Sequence, residues 1–152
     1  MPYLSVRRCT AESANITTKV AALLTDLTAG VLNKKRELIS ASVEYVDGGR
    51  WFIGGTDLAS RCGVTFFLET WVTEGTNTKE EKTAYVQQVF AALESLLGEL
   101  EPASYIAIHE VRGDAWGYQG KNRGGVSCSR ERAAMVTQLT GRPHVELPAR
   151  AQ

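Results

Sequence analysis

The chain has 152 residues, 43% of them hydrophobic, which is enough to bury the core of one domain. Seventeen lysine and arginine residues balance seventeen aspartate and glutamate residues, so no net charge would attract nucleic acid or an anionic membrane surface. Cys9, Cys62 and Cys128 form no CxxC pair, which favours free thiols in a reducing compartment. Because the sequence also lacks a membrane-length apolar run and a signal-peptide pattern, it predicts a cytoplasmic protein.

The first third of the chain predicts the order strand, helix, strand and hairpin. Residues 2–6 are typical of a strand, which the polar residues 7–10 are expected to end. Apolar residues recur every three or four positions over 13–32, as on one face of a helix, and alternate over 39–45, as in a strand with one buried face. Residues 50–55 are a short aromatic piece closed by paired glycines, typical of a hairpin.

The next part of the chain repeats this order. Residues 64–74 are rich in β-branched and aromatic side chains and predict a central strand. A capping box over 78–81 predicts the start of a second helix, which ends at Gly98. Residues 105–111 predict another strand, and 116–120 another aromatic piece closed by glycine.

Trp51 and Gly55 recur as Trp116 and Gly120, 65 positions later (116 − 51 = 65). We therefore expect two βαβ repeats, over about residues 2–55 and 64–120. Side by side, they would form a four-stranded sheet with both helices on one face, a two-layer α+β sandwich. The open face of that sheet is expected to pack on copies of the chain.

These repeats predict a single domain over residues 1–123 and a C-terminal extension over 124–152. The extension has weaker periodicity, and a short helix near residues 130–139 is the one element predicted in it.

Pro2 is the candidate for catalysis. If Met1 is removed, Pro2 becomes a secondary amine held by the strand behind it, and burial would favour its neutral, basic form. The alternative is structural, because proline is also an ordinary first residue of a strand.

Several pieces of the sequence, taken in order and spacing, resemble the tautomerase superfamily. The resemblance is to its long-chain members, in which two units related to 4-oxalocrotonate tautomerase are fused, and it spans about residues 2–123. The pieces are Pro2, Leu24-Thr25-Asp26, Phe52-Ile53-Gly54-Gly55, Glu74-Gly75 and Asp114-Ala115-Trp116-Gly117-Tyr118-Gln119-Gly120.

This resemblance implies a homotrimer that packs through its sheets and uses no cofactor or metal. It implies a keto-enol tautomerase acting on a small 2-hydroxy-dienoate or 2-oxo acid, with Pro2 as general base. One alternative is a hydratase or dehalogenase of 3-substituted acrylates, with Pro2 as general acid and Asp114 activating water. Thr73 and Thr76 stand where that branch has arginines, which counts against it. A non-catalytic trimeric binding protein is the third alternative.

The resemblance also suggests substrate-binding residues. Lys34 and Arg50 are candidates to hold a carboxylate, although both also fit exposed positions at a helix end and in a turn. Tyr105 matches an active-site tyrosine, or is a strand tyrosine with a solvated hydroxyl. Trp116 and Tyr118 would wall an apolar pocket around Pro2, or contribute to the trimer interface.

Overall fold

The computed structural model describes residues 2–9, 11–61 and 63–122. The chain divides into two compact units, Met1–Val111 and Arg112–Gln152, which are considered separately below. The predicted extension over 124–152, with its short helix, lies outside the described residues.

The first unit has the predicted order of elements. Its helices are α1 (Ala14–Val31) and α2 (Lys79–Leu97), and its strands are β1 (Tyr3–Cys9), β2 (Ser40–Tyr45), β3 (Phe52–Ile53), β4 (Thr56–Asp57), β5 (Thr65–Thr73) and β6 (Tyr105–Val111). The described part of the second unit holds the short strands β7 (Gly117–Tyr118) and β8 (Lys121–Asn122). Neither helix is long and apolar enough to cross a membrane.

Strands β2, β1, β5 and β6 lie in that order in one mixed sheet. Strand β1 pairs with β2 in parallel and with β5 antiparallel, and β5 pairs with β6 in parallel. Buried residues of both helices form one hydrophobic core with Leu4 and Val6 of β1 and with Phe66, Leu68 and Val72 of β5. The predicted α+β sandwich is therefore confirmed, with two helices on one face of a four-stranded sheet.

The two hairpins confirm the internal repeat. Strands β7 and β8 follow β3 and β4 at the same spacing of 65 residues (117 − 52 and 121 − 56). Each hairpin turns through two residues with positive φ, Gly54-Gly55 in the first and Gln119-Gly120 in the second. Two successive positive φ angles are typical of the tight turn that joins neighbouring antiparallel strands.

The prediction that the first strand stops before Arg7 is wrong. The strand runs on through Arg7 and Arg8 to Cys9, because cross-strand partners accommodate both charges. Arg7 Nε donates to a carboxylate oxygen of Glu44 at 3.2 Å, and the Arg8 guanidinium lies 5.2 Å from the centre of the Tyr45 ring.

The cysteines were predicted to be free thiols. Cys9 is a buried free thiol, and its pKa is raised by burial and by the nearby Asp47 carboxylate. Cys62 and Cys128 lie outside the described residues.

Candidate functional site

Pro2 lies buried immediately before β1. Its carbonyl oxygen accepts a hydrogen bond from the Ser40 amide at 3.3 Å. Continuing the β1 register by one residue places Pro2 beside Val72 of β5, and strand alternation places it on the same face as Leu4, toward the helices. The sheet on both sides of β1 therefore fixes the position of Pro2.

Lys34 lies at the same end of the sheet as Pro2. Its Nζ donates to Thr76 Oγ1 at 2.8 Å, and that hydroxyl donates to the Thr73 carbonyl at 2.6 Å. Thr73 is the last residue of β5 and follows Val72, the cross-strand neighbour of Pro2. The chain therefore brings together its candidate base and one candidate cation.

The surroundings of Lys34 are polar and include a carboxylate. Asn77 Nδ2 donates to the Leu32 carbonyl at 3.0 Å and to Glu81 at 2.9 Å, joining the end of α1 to the start of α2. The pKa of Glu81 is lowered by hydrogen bonds from Asn77 and from the Thr78 amide, with a smaller contribution from the Lys34 charge. An ionised Glu81 thus remains near Lys34 and would compete with a substrate carboxylate for it.

The two cations after Lys34 are exposed, which is typical of a solvated charge run at the end of a helix. Lys35 and Arg36 both face solvent, whereas Lys34 is half-buried. Arg36 forms an ion pair with Asp26 of α1.

Arg50 lies away from Pro2. It is exposed in a 3-10 turn, Gly48–Arg50, that follows the far end of β2. Strand β2 starts beside Tyr3 and ends beside Arg8, so Arg50 lies beyond the opposite end of the sheet from Pro2.

Tyr105 is likewise distant from Pro2 in the same chain. It pairs with Phe67, which in turn pairs with Arg7 of β1. Since Arg7 is five residues from Pro2, Tyr105 lies about 17 Å along the strand direction from it. Its side chain is 60% exposed and follows the face of the sheet opposite the helices.

Asp114, Trp116 and Tyr118 belong to the second unit. Arg112 Nε and Nη2 donate to the two carboxylate oxygens of Asp114 at 3.2 and 3.1 Å, and this pairing lowers the pKa of Asp114. Its carboxylate stays ionised and weakly basic, in keeping with turn chemistry rather than activation of water. Trp116 is half-buried, while Tyr118 is exposed on β7; their role as pocket walls stays a prediction.

Sequence reasoning missed a polar cluster on the open face of the sheet. Glu69 lies 3.5 Å from Arg7 Nη2 and 3.2 Å from His109 Nε2, and the His109 ring stacks on Trp71 at 4.7 Å. These contacts indicate that His109 is a structural residue. Alternation along β1, β5 and β6 was the available signal, but it required knowledge of the pairing register. No group of three or more potential metal ligands occurs among residues 2–9, 11–61 and 63–122.

The adjacent residues Arg7 and Arg8 lie on opposite faces of the sheet. Arg7 lies on the open face, half-exposed, and is paired with Glu44 and Glu69. Arg8 is 3% exposed on the helix-facing side. Neither is near Pro2, because both lie toward the other end of β1.

A mixed four-stranded sheet from two βαβ repeats, with two helices on one face and a buried proline before its first strand, is the architecture implied by the sequence resemblance. Native fused 4-OT matches with a TM-score of 0.74 at 17% identity, covering 82% of this chain and 98% of that one. Pt0534 inactivated by 2-oxo-3-pentynoate matches with a TM-score of 0.73 at 13% identity and the same coverage, 82% and 98%. A macrophage migration inhibitory factor-like protein from Entamoeba histolytica matches with a TM-score of 0.66 at 16% identity, covering 80% of this chain and 97% of that one.

The chain therefore has the fold of the fused 4-OT structures, the architecture that the sequence resemblance predicted. Fused 4-OT structures of similar fold include symmetric and asymmetric trimers. No family model and no curated protein matches the sequence.

Proposed function

We propose that this protein is a cofactor-free keto-enol tautomerase, with Pro2 as its general base, acting on a small 2-hydroxy-dienoate or 2-oxo acid. The observation that carries the proposal is the position of Pro2, buried before the first strand of a fused 4-OT fold. Removal of Met1 converts Pro2 to a secondary amine, and burial among apolar groups favours the neutral form of that amine.

The reaction needs one base and one anchor. The neutral Pro2 nitrogen takes the proton of the enol hydroxyl, the carbonyl forms as the double bond shifts, and the prolinium returns the proton to carbon. Lys34, at the same end of the sheet, holds the substrate carboxylate after displacing its contact with Thr76.

The active form is a homotrimer in the cytoplasm that packs through the open sheet face. Similarity to the fused 4-OT trimers supports this assembly. The positions of Arg50 and Tyr105 fit the same assembly. In one chain these candidate substrate-binding residues lie at the opposite end of the sheet from Pro2, so they can reach a Pro2 only in another copy. In a trimer, these two residues complete the site around the Pro2 of another copy.

A comparison of wild type with Pro2→Ala tests the mechanism, and Pro102→Ala is the matched control because Pro102 is an exposed proline outside the strands. Intact mass first establishes that Met1 is absent. The steady-state rate of phenylpyruvate or 2-hydroxymuconate ketonisation is expected to fall by roughly 10²–10⁴-fold in Pro2→Ala and to stay unchanged in Pro102→Ala. Equal rates in all three proteins would remove Pro2 from the mechanism, and a retained Met1 would favour a binding protein without turnover.

Covalent labelling gives an independent readout of the same amine. Pt0534 is inactivated by 2-oxo-3-pentynoate, so the same compound is expected to add once to the N-terminal peptide of wild type and not to Pro2→Ala.

The pH dependence of the rate distinguishes a base from an acid. Activity should fall on acidification as Pro2 becomes protonated. A rate that instead rises on acidification would point to Pro2 as an acid.

A further inference from the structure

Asn77 joins the end of the first helix to the start of the second, at the Pro2 end of the sheet. It is half-buried in the turn between β5 and α2. Its side-chain nitrogen donates to the Leu32 carbonyl at 3.0 Å and to one carboxylate oxygen of Glu81 at 2.9 Å. Leu32 is the C-cap residue of α1, and Glu81 lies in the first turn of α2. One side chain therefore holds two helix ends together.

The same contacts fix the course of the chain into Lys34. Asn33, between Leu32 and Lys34, has a positive φ of 52°, a left-handed conformation that asparagine adopts more readily than most residues. Its side-chain nitrogen donates to the other carboxylate oxygen of Glu81 at 3.2 Å. Hydrogen bonds from Asn33 and Asn77 therefore hold this turn to α2, and Lys34 follows it directly.

The side chain of Lys34 ends beside the same turn. Its Nζ donates to Thr76 Oγ1 at 2.8 Å, and that hydroxyl lies 3.4 Å from Asn77 Oδ1. Asn77 thus contacts both the backbone that leads into Lys34 and the residue that holds its ammonium group. Because Asn77 carries no charge, it can fix the position of this cation without competing for it as the Glu81 carboxylate would.

Given the proposed function, in which Lys34 binds the substrate carboxylate, we propose that Asn77 is a positioning residue that holds Lys34 in place for this contact. An ammonium group on a four-carbon side chain is flexible, and ordering it costs binding free energy. The Asn77 amide removes part of that freedom before substrate arrives, because it fixes the backbone from which the side chain extends. Asn77 therefore acts through Lys34 and not by touching the substrate.

The rate at which 2-oxo-3-pentynoate labels Pro2 tests this role without requiring turnover, because the compound carries a carboxylate and inactivates Pt0534. Intact mass of the full chain follows the labelling. The second-order rate constant is expected to fall roughly 3–10-fold in Asn77→Ala, which is within the usual coupling between neighbouring side chains. Asn15→Ala is the matched control, since Asn15 is an exposed asparagine in the first turn of α1, and it should keep the wild-type rate.

Two comparisons separate positioning from a general loss of structure. Lys34→Ala should lower the rate constant about tenfold, and adding Asn77→Ala to it should lower the rate constant no further. The methyl ester of the label, which has no carboxylate, should label wild type and Asn77→Ala at equal rates. An unchanged rate in Asn77→Ala, a further fall in the double variant, or an equal fall with the ester would overturn the proposal.

Failure of this role differs from failure of the proposed function. If ketonisation and labelling both require Pro2 but Asn77→Ala labels at the wild-type rate, only the role of Asn77 is wrong. If labelling shows the expected pattern while Pro2→Ala keeps the wild-type rate of ketonisation, Pro2 is not the base, and Asn77 still positions Lys34. A wild-type protein that is not labelled at Pro2 would overturn both.

Discussion

The hydroxyl of Tyr85 links both helices to the central strand, and its removal should measurably destabilise the fold. Tyr85 is fully buried on α2, and its oxygen lies 3.0 Å from Thr28 Oγ1 of α1 and 3.2 Å from Thr70 Oγ1 of β5. Tyr85→Phe removes this oxygen and leaves the ring in place. Thr28 keeps a hydrogen bond, since its hydroxyl also donates to the Leu24 carbonyl at 2.7 Å.

The size of the effect follows from these contacts. Each of the two hydrogen bonds contributes about 0.5–1.5 kcal/mol, and Thr70 is left without its buried partner while Thr28 is not. We therefore expect the free energy of unfolding to fall by about 2 kcal/mol and Tm by roughly 4–8 °C. Urea unfolding should show a lower midpoint with an unchanged m-value.

The pH dependence gives a second check on the same residue. Burial raises the pKa of Tyr85 above its ordinary value of 10.0, outweighing its hydrogen bonds with Thr28 and Thr70. The native state thus holds this proton to higher pH than the unfolded state, so the associated stability is present below about pH 10 and is lost as pH rises above it. The difference between wild type and Tyr85→Phe should therefore narrow above about pH 10.

The matched control is Tyr105→Phe, which removes the same atom from a side chain that is 60% exposed. It should change stability by less than about 0.5 kcal/mol. An unchanged urea midpoint in Tyr85→Phe, or a difference from wild type that widens in alkali, would refute the reasoning.

Two other predictions concern the site and the assembly. Lys34→Ala should raise KM for a carboxylate substrate about tenfold with a smaller effect on kcat. Lys35→Ala, at an exposed lysine, should leave KM and kcat unchanged. Equal kinetics in the two variants would exclude Lys34 as the residue that binds the carboxylate. Glu69→Lys replaces the carboxylate that contacts Arg7 and His109 on the open face by a cation and should shift the proposed trimer to monomer, as measured by light scattering. Glu37→Lys, the same change at an exposed turn, should leave the wild-type mass unchanged, and equal masses for the two variants would contradict packing through the sheet.

The sequence was sufficient for the elements whose signals are local. Strand β6 has the predicted bounds, Tyr105–Val111. The capping box was also predictable, since both of its hydrogen bonds join Thr78 to Glu81 within one turn. The 65-residue spacing of the hairpins required only a comparison of the chain with itself.

What the sequence did not reveal depends on partners distant along the chain. Arg7 and Arg8 suggested a strand end, and only the pairing of β1 with β2 shows that Glu44 and Tyr45 accommodate them. The faces that the two helices bury also differ from the apolar faces that the periodicity predicted, again because of partners distant along the chain. Thr28 and Tyr85 were not assigned to the core by apolar periodicity, yet each satisfies the other's hydroxyl and both are fully buried.

The composition of the candidate site also depends on which residues the fold brings close to Pro2, and the sequence does not give this. A base and a carboxylate-binding side chain must lie within a few ångströms of one small substrate, and sequence likeness alone could not show which of Lys34, Arg50 and Tyr105 lies near Pro2. The strand directions separate them, because only Lys34 lies at the Pro2 end of the sheet. In the proposed trimer, Lys34 would hold the substrate beside the Pro2 of its own chain while Arg50 and Tyr105 act on the Pro2 of another copy, so the oligomeric state determines the composition of the site.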